Sequence, residues 1–395
     1  MLKGKSILLG VTGSISAYKI CNLASMLKKL HADIHVIMTK NATNFVNPIT
    51  FETLTGNKCI VDTFDRDFEF NVEHIALAKK CDIYMVAPAS YNVIGKIANG
   101  IADDMLTSTM AAFTKTRIIA PAMNTNMYEN PILQDNLEKL RKYGFEIIDA
   151  SCGYLACGDT GRGKLPSEEE LLNRILYHVL YPHDLENKNI LITAGPTQEA
   201  IDPVRYITNH SSGKMGYAIA NKAYLRGANV TLISGSVNVK AIKGINVIDV
   251  KSAKDMYEAV KDNYKNNDIV IMSAAVADYT PKDYSDNKIK KNDNDMSIEL
   301  ERTCDILKFL GENKKENQIV VGFSMETENL VDNSKKKLIK KNCDMICANS
   351  LNSNKTGFKA DTNQITLIKK NDIKELPFDT KENLAMMILD EIKNL

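Results

Sequence analysis

Twice in this chain a strand-like apolar run breaks at a glycine turn and passes into a helix-like segment. The first run, Ser6–Val11, leads into Val11-Thr-Gly-Ser-Ile15. The second, Asn189–Thr193, leads into Thr193-Ala-Gly-Pro-Thr197 and then Asn209-His-Ser-Ser-Gly-Lys-Met-Gly216. A glycine at such a junction lets the chain turn tightly, and the helix start then offers free N–H groups to an anion. Two such beginnings predict two α/β domains, each with a nucleotide-type pocket, and two chemistries in series. A length of 395 residues suits that division.

The pattern between the turns agrees. After Ser6–Val11, helical spacing runs through Ile15–Leu30, and Ala32–Met38 reads as the next strand. Asp82–Val86 and Arg117–Ala120 are short, fully apolar strands, and Ile132–Tyr143 is a helix between Pro131 and Gly144. This alternation predicts a parallel sheet covered on both faces. Gly153–Pro166 is glycine-rich without periodicity, a linker or a functional flap. Ser167 caps a helix over Glu168–Leu180, with Glu170 at the capping-box position, and Pro182 ends it. The boundary falls near 182–188, giving domains 1–186 and 187–395. In the second, strands are predicted at Ala228–Ser234, Ile269–Ser273, Ile319–Phe323, Met345–Ala348 and Gln364–Ile368. Helices are predicted at Lys214–Arg226, Glu328–Lys341 and Lys381–Lys393.

Composition narrows the function. A formal net charge of +1 argues against a broad basic field for nucleic acid. No apolar run is long enough to span a bilayer, and Met1-Leu-Lys-Gly-Lys5 runs into a strand without signal-peptide architecture, so a cytoplasmic protein is expected. The eight cysteines form no Cys-x-x-Cys pair and lack the partners of a zinc site, so most are expected to be buried, reduced thiols. No metal-ligand set is legible.

In the first half, Gly13 and Ser14 follow the first strand and Thr39 the second. Pro88-Ala-Ser-Tyr-Asn92, with Ser90, follows the third, and Pro121-Ala-Met-Asn-Thr-Asn-Met127, with Met123 and Asn124, the fourth. All fall at strand carboxyl ends, the edge where open sheets bind ligands. His74 opens the helix-like Glu73–Lys79 run. Taken singly, the Gly13 turn is as consistent with a plain strand–helix turn, and His74 and Asn124 with structural roles. Cys157 differs, because its glycine-rich, Arg-containing surroundings suit an exposed thiol.

Together, Gly13–Lys19, His74, Pro121–Met127 and the Cys157 segment resemble the homo-oligomeric flavin-containing cysteine decarboxylases, and among them the phosphopantothenoylcysteine decarboxylases. The resemblance implies a flavodoxin-like, Rossmann-type domain that holds FMN through Gly13, Ser14, Thr39, Ser90 and Met123. It further implies that His74 acts in an oxidative half-reaction, that Asn124 grips the substrate carboxylate and that Cys157 donates the final proton. The chemistry is coherent. A cysteine carboxylate has no electron sink, whereas a thioaldehyde made by oxidising the thiol-bearing carbon provides one. The enethiol left after loss of CO₂ is then reduced, with no net redox.

The second half carries neither of two familiar nucleotide-binding signatures. Gly-x-Gly-x-x-Gly is absent after Thr193, and Ala228–Ser234 ends in Ser-Gly rather than a ribose-binding acid, which disfavours NAD. A P-loop is also absent. Ser212, Gly213 and Gly216 instead form a turn suited to a triphosphate. Ala274, Ala275 and Asp278 follow a strand, Phe323 ends one, and Lys337 and Lys341 are i,i+4 neighbours. Lys288 lies in the polar stretch Tyr284–Asp295. Alone, that stretch reads as a solvated loop and the lysine pair as a solvated helix face.

Thr193–Thr197, Asp202–Tyr206, Asn209–Gly216, Ala274–Asp278, the Lys288 loop and Ala348-Asn349 resemble the phosphopantothenate–cysteine ligase domain. The two resemblances cover nearly the whole chain, in the order of the bifunctional bacterial coenzyme A enzymes. They imply that 4′-phosphopantothenate and L-cysteine are joined with CTP and Mg²⁺ through an acyl-cytidylate, and that the product is decarboxylated to 4′-phosphopantetheine. The implied CTP contacts are Gly195, Ser212, Gly213, Gly216, Ala274, Ala275, Asp278, Lys288, Cys304, Asp305, Ile306, Leu307, Phe323, Lys337 and Lys341. Lys288 would stabilise charge in transfer, and Asn209 would position the acyl intermediate. Cys304 stands where the family usually has proline. The resemblance also implies a homo-oligomer, a dodecamer of decarboxylase trimers and ligase dimers, with neither nucleic-acid nor membrane partners. Two rivals remain at this point: a flavin-domain regulatory subunit without catalysis, and a nicotinamide oxidoreductase.

Overall fold

In the computed structural model, residues 1–64, 73–155, 158, 160–290, 296–326, 328–350 and 360–395 are described. Contacts divide the chain into two compact units, Met1–Tyr181 and Pro182–Leu395.

The first unit is built on β1 (Ser6–Val11), β2 (Asp33–Met38), β3 (Cys59–Ile60), β4 (Ile83–Ala89), β5 (Thr116–Pro121) and β6 (Glu146–Ile147). These pair in parallel in the order β3-β2-β1-β4-β5-β6. Its helices are α1 (Ala17–Lys29), α2 (Pro48–Thr55), α3 (Glu73–Lys80), α4 (Tyr91–Ala98), α5 (Met105–Ala112), α6 (Thr125–Tyr128), α7 (Pro131–Lys142) and α8 (Glu168–Val179). Successive strand residues point to opposite faces, so β1 feeds two cores. Ile7, Leu9 and Val11 pack with Ile20, Leu23 and Leu27 of α1 and with Leu171 and Ile175 of α8. Leu8 joins Val93 and Ile94 of α4, Leu106 and Met110 of α5, and Leu133 and Leu137 of α7. With both faces covered, β4 is buried along its whole length, which is why its sequence reads as one apolar run.

The sequence placed the start of α1 two residues early. Ser14 N–H donates to Thr12 O and Ala17 N–H to Ser14 O, so a turn occupies 12–16 before the helix begins, and Ile15 is left exposed. Gly153–Pro166, without side-chain periodicity, contains the antiparallel hairpin β7 (Ser151–Tyr154) and β8 (Thr160–Lys164). Backbone pairing among glycines defines it, which leaves no apolar alternation to read. Ser167 Oγ accepts Glu170 N–H at the head of α8.

The second unit repeats the plan. Its main-sheet strands are β9 (Asn189–Ala194), β12 (Asn229–Ser234), β13 (Asn246–Asp249), β14 (Ile269–Met272), β17 (Ile319–Glu326), β18 (Met345–Ser350), β20 (Ile365–Lys369) and β21 (Ile373–Glu375). Their order is β13-β12-β9-β14-β17-β18-β20-β21, parallel through β18 and antiparallel for the last two. Three ribbons lie outside it: β10 (Gln198–Ala200) with β11 (Tyr206–Thr208), β15 (Tyr279–Pro281) with β16 (Leu300–Arg302), and β19 (Thr362–Asn363) with β22 (Asp379–Thr380). The helices are α9 (Lys214–Leu225), α10 (Ala253–Asn263), α11 (Ile306–Asn313), α12 (Leu330–Lys340) and α13 (Lys381–Lys393). Ile190, Ile192 and Ala194 face α9 and α13, while Leu191 faces Met256 and Val260 of α10 and Ile306 and Leu310 of α11. Helix α12 was expected from Glu328; it starts at Leu330, after Asn329 at φ 50°.

In each sheet the strand order reverses beside the first strand, between β1 and β4 and between β9 and β14. A crevice at the carboxyl ends follows from that topology.

Candidate active sites at two sheet edges

At the first crevice Thr12 is fully buried. Its Oγ1 donates to Pro88 O at 2.6 Å and accepts Ser90 N–H at 2.9 Å. One hydroxyl therefore ties the turn after β1 to that after β4 and fixes Ser90. A Cβ on Gly13 would lie 2.8 Å from Asn41 Cβ, so the turns after β1 and β2 touch only because residue 13 is glycine. That contact sets Gly13 and Ser14 beside the Thr39–Asn41 segment. Ser14 Oγ lies 3.0 Å from Ser16 Oγ at the entrance to α1, and Thr39 Oγ1 accepts Ala42 N–H at 3.3 Å.

The turn after β5 completes this edge. Ala122 N–H donates to Ala89 O at 3.1 Å, and Met123 N–H to Gly163 O at 2.9 Å. The hairpin thereby lies on the Pro121–Met127 segment. Gly163 has φ +137°, and a Cβ there would overlap Met123 O; at Gly161 it would overlap Thr125. Asn124 Oδ1 caps α6 by accepting Asn126 N–H at 2.9 Å, which fixes its side chain at the head of that turn. His74, half-buried, lies in the first turn of α3, the end of that helix nearest the carboxyl rim of the sheet. Cys157 lies outside the described residues. Among the described cysteines, Cys59, Cys81 and Cys347 are buried, whereas Cys152 and Cys304 are exposed, contrary to the expectation of mostly buried thiols for these two. Burial pushes the Cys59 and Cys81 thiols up to about 12.

The donors gathered at this edge suit a phosphorylated planar cofactor. Ser14, Ser16 and Thr39 supply neutral hydroxyls beside a helix start, and the segments 12–16, 87–90 and 121–124 carry no acidic side chain.

At the second crevice the turns after β9 and β14 are stitched together. Thr193 Oγ1 accepts Ala274 N–H at 3.1 Å, Thr197 Oγ1 accepts Ala277 N–H at 3.0 Å, and Ala275 N–H donates to Gly195 O at 2.9 Å. Asn209 Nδ2 donates to Ala275 O at 3.0 Å, so Asn209 is held on the same strand end. Gly216 packs its backbone on β9: a Cβ there would sit 2.6 Å from Ala194 Cβ. At both Gly195 and Gly213 an added Cβ would lie 2.7 Å from Val237 Cγ1. Thus Val237, beyond the Ser234-Gly235 end of β12, closes over the two glycines.

A cavity of about 630 Å³ opens beside β14 and β17. Its lining brings together Ala274, Asp278, Cys304, Asp305, Ile306, Leu307, Phe323, Lys337 and Lys341. Gly195, Ser212, Gly213, Gly216, Ala275 and Lys288 do not line it. The lysine pair is not a solvated face. Lys337 is half-buried, its Nζ donates to Phe323 O at 2.9 Å, and burial pushes its ammonium below the usual lysine range. Lys341 Nζ pairs with Asp305. Burial pushes the Asp305 carboxyl up, but bonds from Lys341 and from Lys308 N–H outweigh it and hold the acid below its ordinary value. Lys340, Arg302 and Thr303 also line the cavity and were not anticipated. Thr303 N–H donates to Asp278 O at 3.0 Å, closing β15 onto β16, a pairing that no local sequence pattern announces.

The loop bearing Lys288 is tethered rather than free. Ser285 N–H donates to Ile201 O at 3.0 Å, and Ile289 N–H to Asp202 Oδ2 at 3.2 Å. Lys288 itself is exposed. A larger cavity, about 1010 Å³, lies on the β12 side, lined among others by Tyr217, Ser236, Asn238 and Lys251. Of its lining, the sequence had marked only Tyr206 and the Ser234-Gly235 strand end, and neither as a ligand contact. Among the described residues no cluster of three or more His, Cys, Asp or Glu side chains could hold a metal, and no helix is long and apolar enough to cross a membrane.

Comparison with known proteins gives a consistent picture. Residues 1–180 match the Flavoprotein family, and residues 185–395 match the family described as DNA/pantothenate metabolism flavoprotein C-terminal domain. The "Coenzyme A biosynthesis bifunctional protein CoaBC" of Bacillus subtilis (strain 168) is 48% identical over 100% of this chain and 98% of its own length. The protein of the same name from Borreliella burgdorferi is 44% identical over 98% of this chain and 99% of its own. A solved C-terminal domain of a CoaBC protein is 47% identical, with TM-score 0.46, over 53% of this chain and 96% of that one.

Proposed function

The chain belongs to the family of bifunctional coenzyme A biosynthesis proteins, and from that membership we propose how its two sheet edges divide the work. The enzyme joins 4′-phosphopantothenate to cysteine and decarboxylates the product to 4′-phosphopantetheine. Residues 187–395 perform the ligation, and residues 1–186 the decarboxylation.

In the ligase half, CTP occupies the 630 Å³ cavity. Phe323 stacks on the base, Asp278 orders the nucleotide, and Lys337 and Lys341 lie against its charged groups. Magnesium enters as the counter-ion of the triphosphate. Ser212, Gly213 and Gly216, at the start of α9, receive phosphate groups of the reactants. Attack by the pantothenate carboxylate on the α-phosphate expels pyrophosphate, and Lys288 stabilises the charge that develops. Asn209, fixed to Ala275, holds the acyl-cytidylate while the cysteine amine displaces CMP.

In the decarboxylase half, Gly13, Ser14, Thr39, Ser90 and Met123 hold FMN. When bound, the flavin takes and returns the electrons that give the substrate its temporary sink. Asn124, held by its cap at the end of β5, grips the substrate carboxylate. His74 moves a proton in the oxidative step, and Cys157 returns one to the enethiol.

The single observation that carries this reading is the convergence of Asp278, Phe323, Lys337, Lys341 and the 304–307 turn, drawn from four separate chain segments, on one cavity. It is tested by pyrophosphate release. A burst requiring both CTP and 4′-phosphopantothenate, with turnover and CO₂ only after cysteine is added to a yellow protein, is expected. Release without phosphopantothenate would sink it.

Assembly into decarboxylase trimers and ligase dimers is part of the same proposal. The ligase dimers have support in apolar side chains of the β10–β11 and β15–β16 ribbons: Val204, Tyr206, Tyr279 and Leu300 are all exposed in the single chain; the trimers rest on the family resemblance. Light scattering is expected to give twelve chains, as the family resemblance implies; a fully active monomer contradicts it.

A further inference from the structure

The Lys288 loop would be expected to wander, yet both backbone groups of one residue in it, Ile289, are anchored, the N–H to a buried acid and the carbonyl to Arg205. Asp202 is 2% exposed, although it sits in the turn joining β10 to β11. Its Oδ1 accepts the N–H groups of Val204 and Arg205, each at 2.8 Å. Its Oδ2 accepts Ile289 N–H at 3.2 Å and lies 3.6 Å from Arg205 Nη1. Arg205 Nη2 in turn donates to Ile289 O at 3.2 Å. Burial pushes this carboxyl up, but the three backbone N–H groups outweigh it and keep the group ionised, below its usual range.

The Ile289 N–H belongs to the peptide that starts at the Lys288 carbonyl. The clamp therefore fixes the backbone on the carboxyl side of Lys288 and leaves the side chain to move. The same ribbon ends at Asn209, which is bonded to the β14 end, and Thr208 Oγ1 donates to Thr197 O at 2.7 Å. One hairpin thus carries the amide expected to hold the acyl intermediate and grips the backbone of the lysine expected to act on the phosphate.

We propose that Asp202 is a positioning residue of the ligase reaction, whose carboxylate holds the Lys288 backbone in the place from which its ammonium meets the transferring phosphoryl group. The inference rests on the role assigned to Lys288 above. Loss of preorganisation lowers the transition-state term more than ground-state binding, so kcat moves and KM does not.

The test uses the full-length holoenzyme. Asp202→Asn keeps an oxygen for Val204 and Arg205 but turns an NH₂ toward Ile289 N–H, donor against donor. We expect kcat for CTP-dependent pyrophosphate release to fall about tenfold or more with the CTP KM within about twofold, and decarboxylation of supplied 4′-phosphopantothenoylcysteine to be unchanged. In a Lys288→Gln background, Asp202→Asn should cost less than about twofold more, because the two act as one unit. A wild-type kcat in Asp202→Asn while Lys288→Gln is inactive overturns the positioning role alone, as does a full additive loss in the double variant. A wild-type rate in Lys288→Gln overturns the Lys288 reading and this inference with it. Should Asp202→Asn not fold, hydrogen exchange of the unaltered enzyme decides: an Ile289 amide as unprotected as a free peptide removes the clamp.

Discussion

Lys337 illustrates how a residue's neighbours change its meaning. In the sequence it is one of several lysines on an amphipathic helix, and only the family resemblance separates it from Lys335 or Lys336, both exposed. In the fold its stem lies beside β17, its ammonium bonds Phe323 O, and its charge faces the Asp278 cavity. Lys337→Met should therefore raise the CTP KM by about tenfold, the scale of one lost charge-assisted hydrogen bond. Decarboxylation of supplied 4′-phosphopantothenoylcysteine should be untouched, and steady-state assays of both activities check this. The places of Gly13 and Asp278 beyond the ends of β1 and β14 were legible because the apolar runs before them stop there. Thr12 and Thr303 were not. Each works through a bond to a residue far along the chain or on a ribbon whose pairing no local pattern announces.

Among the elements, those with a strong period were readable. The strands β1, β4, β9 and β14 are continuous apolar runs because both faces are covered, and α7 and α13 carry clear apolar stripes. Two kinds stand out among the elements that were missed. Helices α5 and α10 announce themselves with capping boxes, Asp104/Thr107 and Ser252/Asp255, signals that were present and overlooked. The ribbons β7–β8, β10–β11 and β15–β16 are short, glycine-containing or exposed, and their apolar residues do not alternate toward a core. The β7–β8 hairpin nevertheless sets the first site, through Gly163 against Met123. Gly163→Ala would place a Cβ on Met123 O at a φ that L residues avoid, a strain of about 1–3 kcal/mol that only displacement of the 121–127 segment relieves. We expect decarboxylation to fall at least about tenfold, with pyrophosphate release unchanged. Equal loss of both activities would mean that the hairpin serves general stability instead.

At the scale of the whole molecule, each unit closes its own two-sided core. Separate chains 1–181 and 182–395 are therefore expected to unfold cooperatively on their own, the second retaining pyrophosphate release; calorimetry and that assay check it. The second unit is fastened at its start by Arg226, 1% exposed, which pairs with Asp184 at 2.6 Å and with Asp390 at 2.7 Å, joining the chain before β9 to α13. The Arg226 guanidinium holds the Asp184 carboxyl well below the usual carboxylate range. A carboxyl whose folded value lies below its unfolded value of about 3.9 stabilises fully above that value, and the stabilisation drains away as pH falls further. Asp184→Asn should cost about 1–3 kcal/mol at pH 7 and flatten the acid limb of the stability curve of 182–395; an unchanged limb would show that the pair contributes nothing. The independence of the first core has a last consequence, in time rather than space. On the ribosome the amino-terminal sheet and both its helical layers are finished while the ligase is still being synthesised. The station that consumes the intermediate can thus be assembled before the one that makes it, and a nascent chain interrupted midway leaves a spare consumer, never an unattended producer.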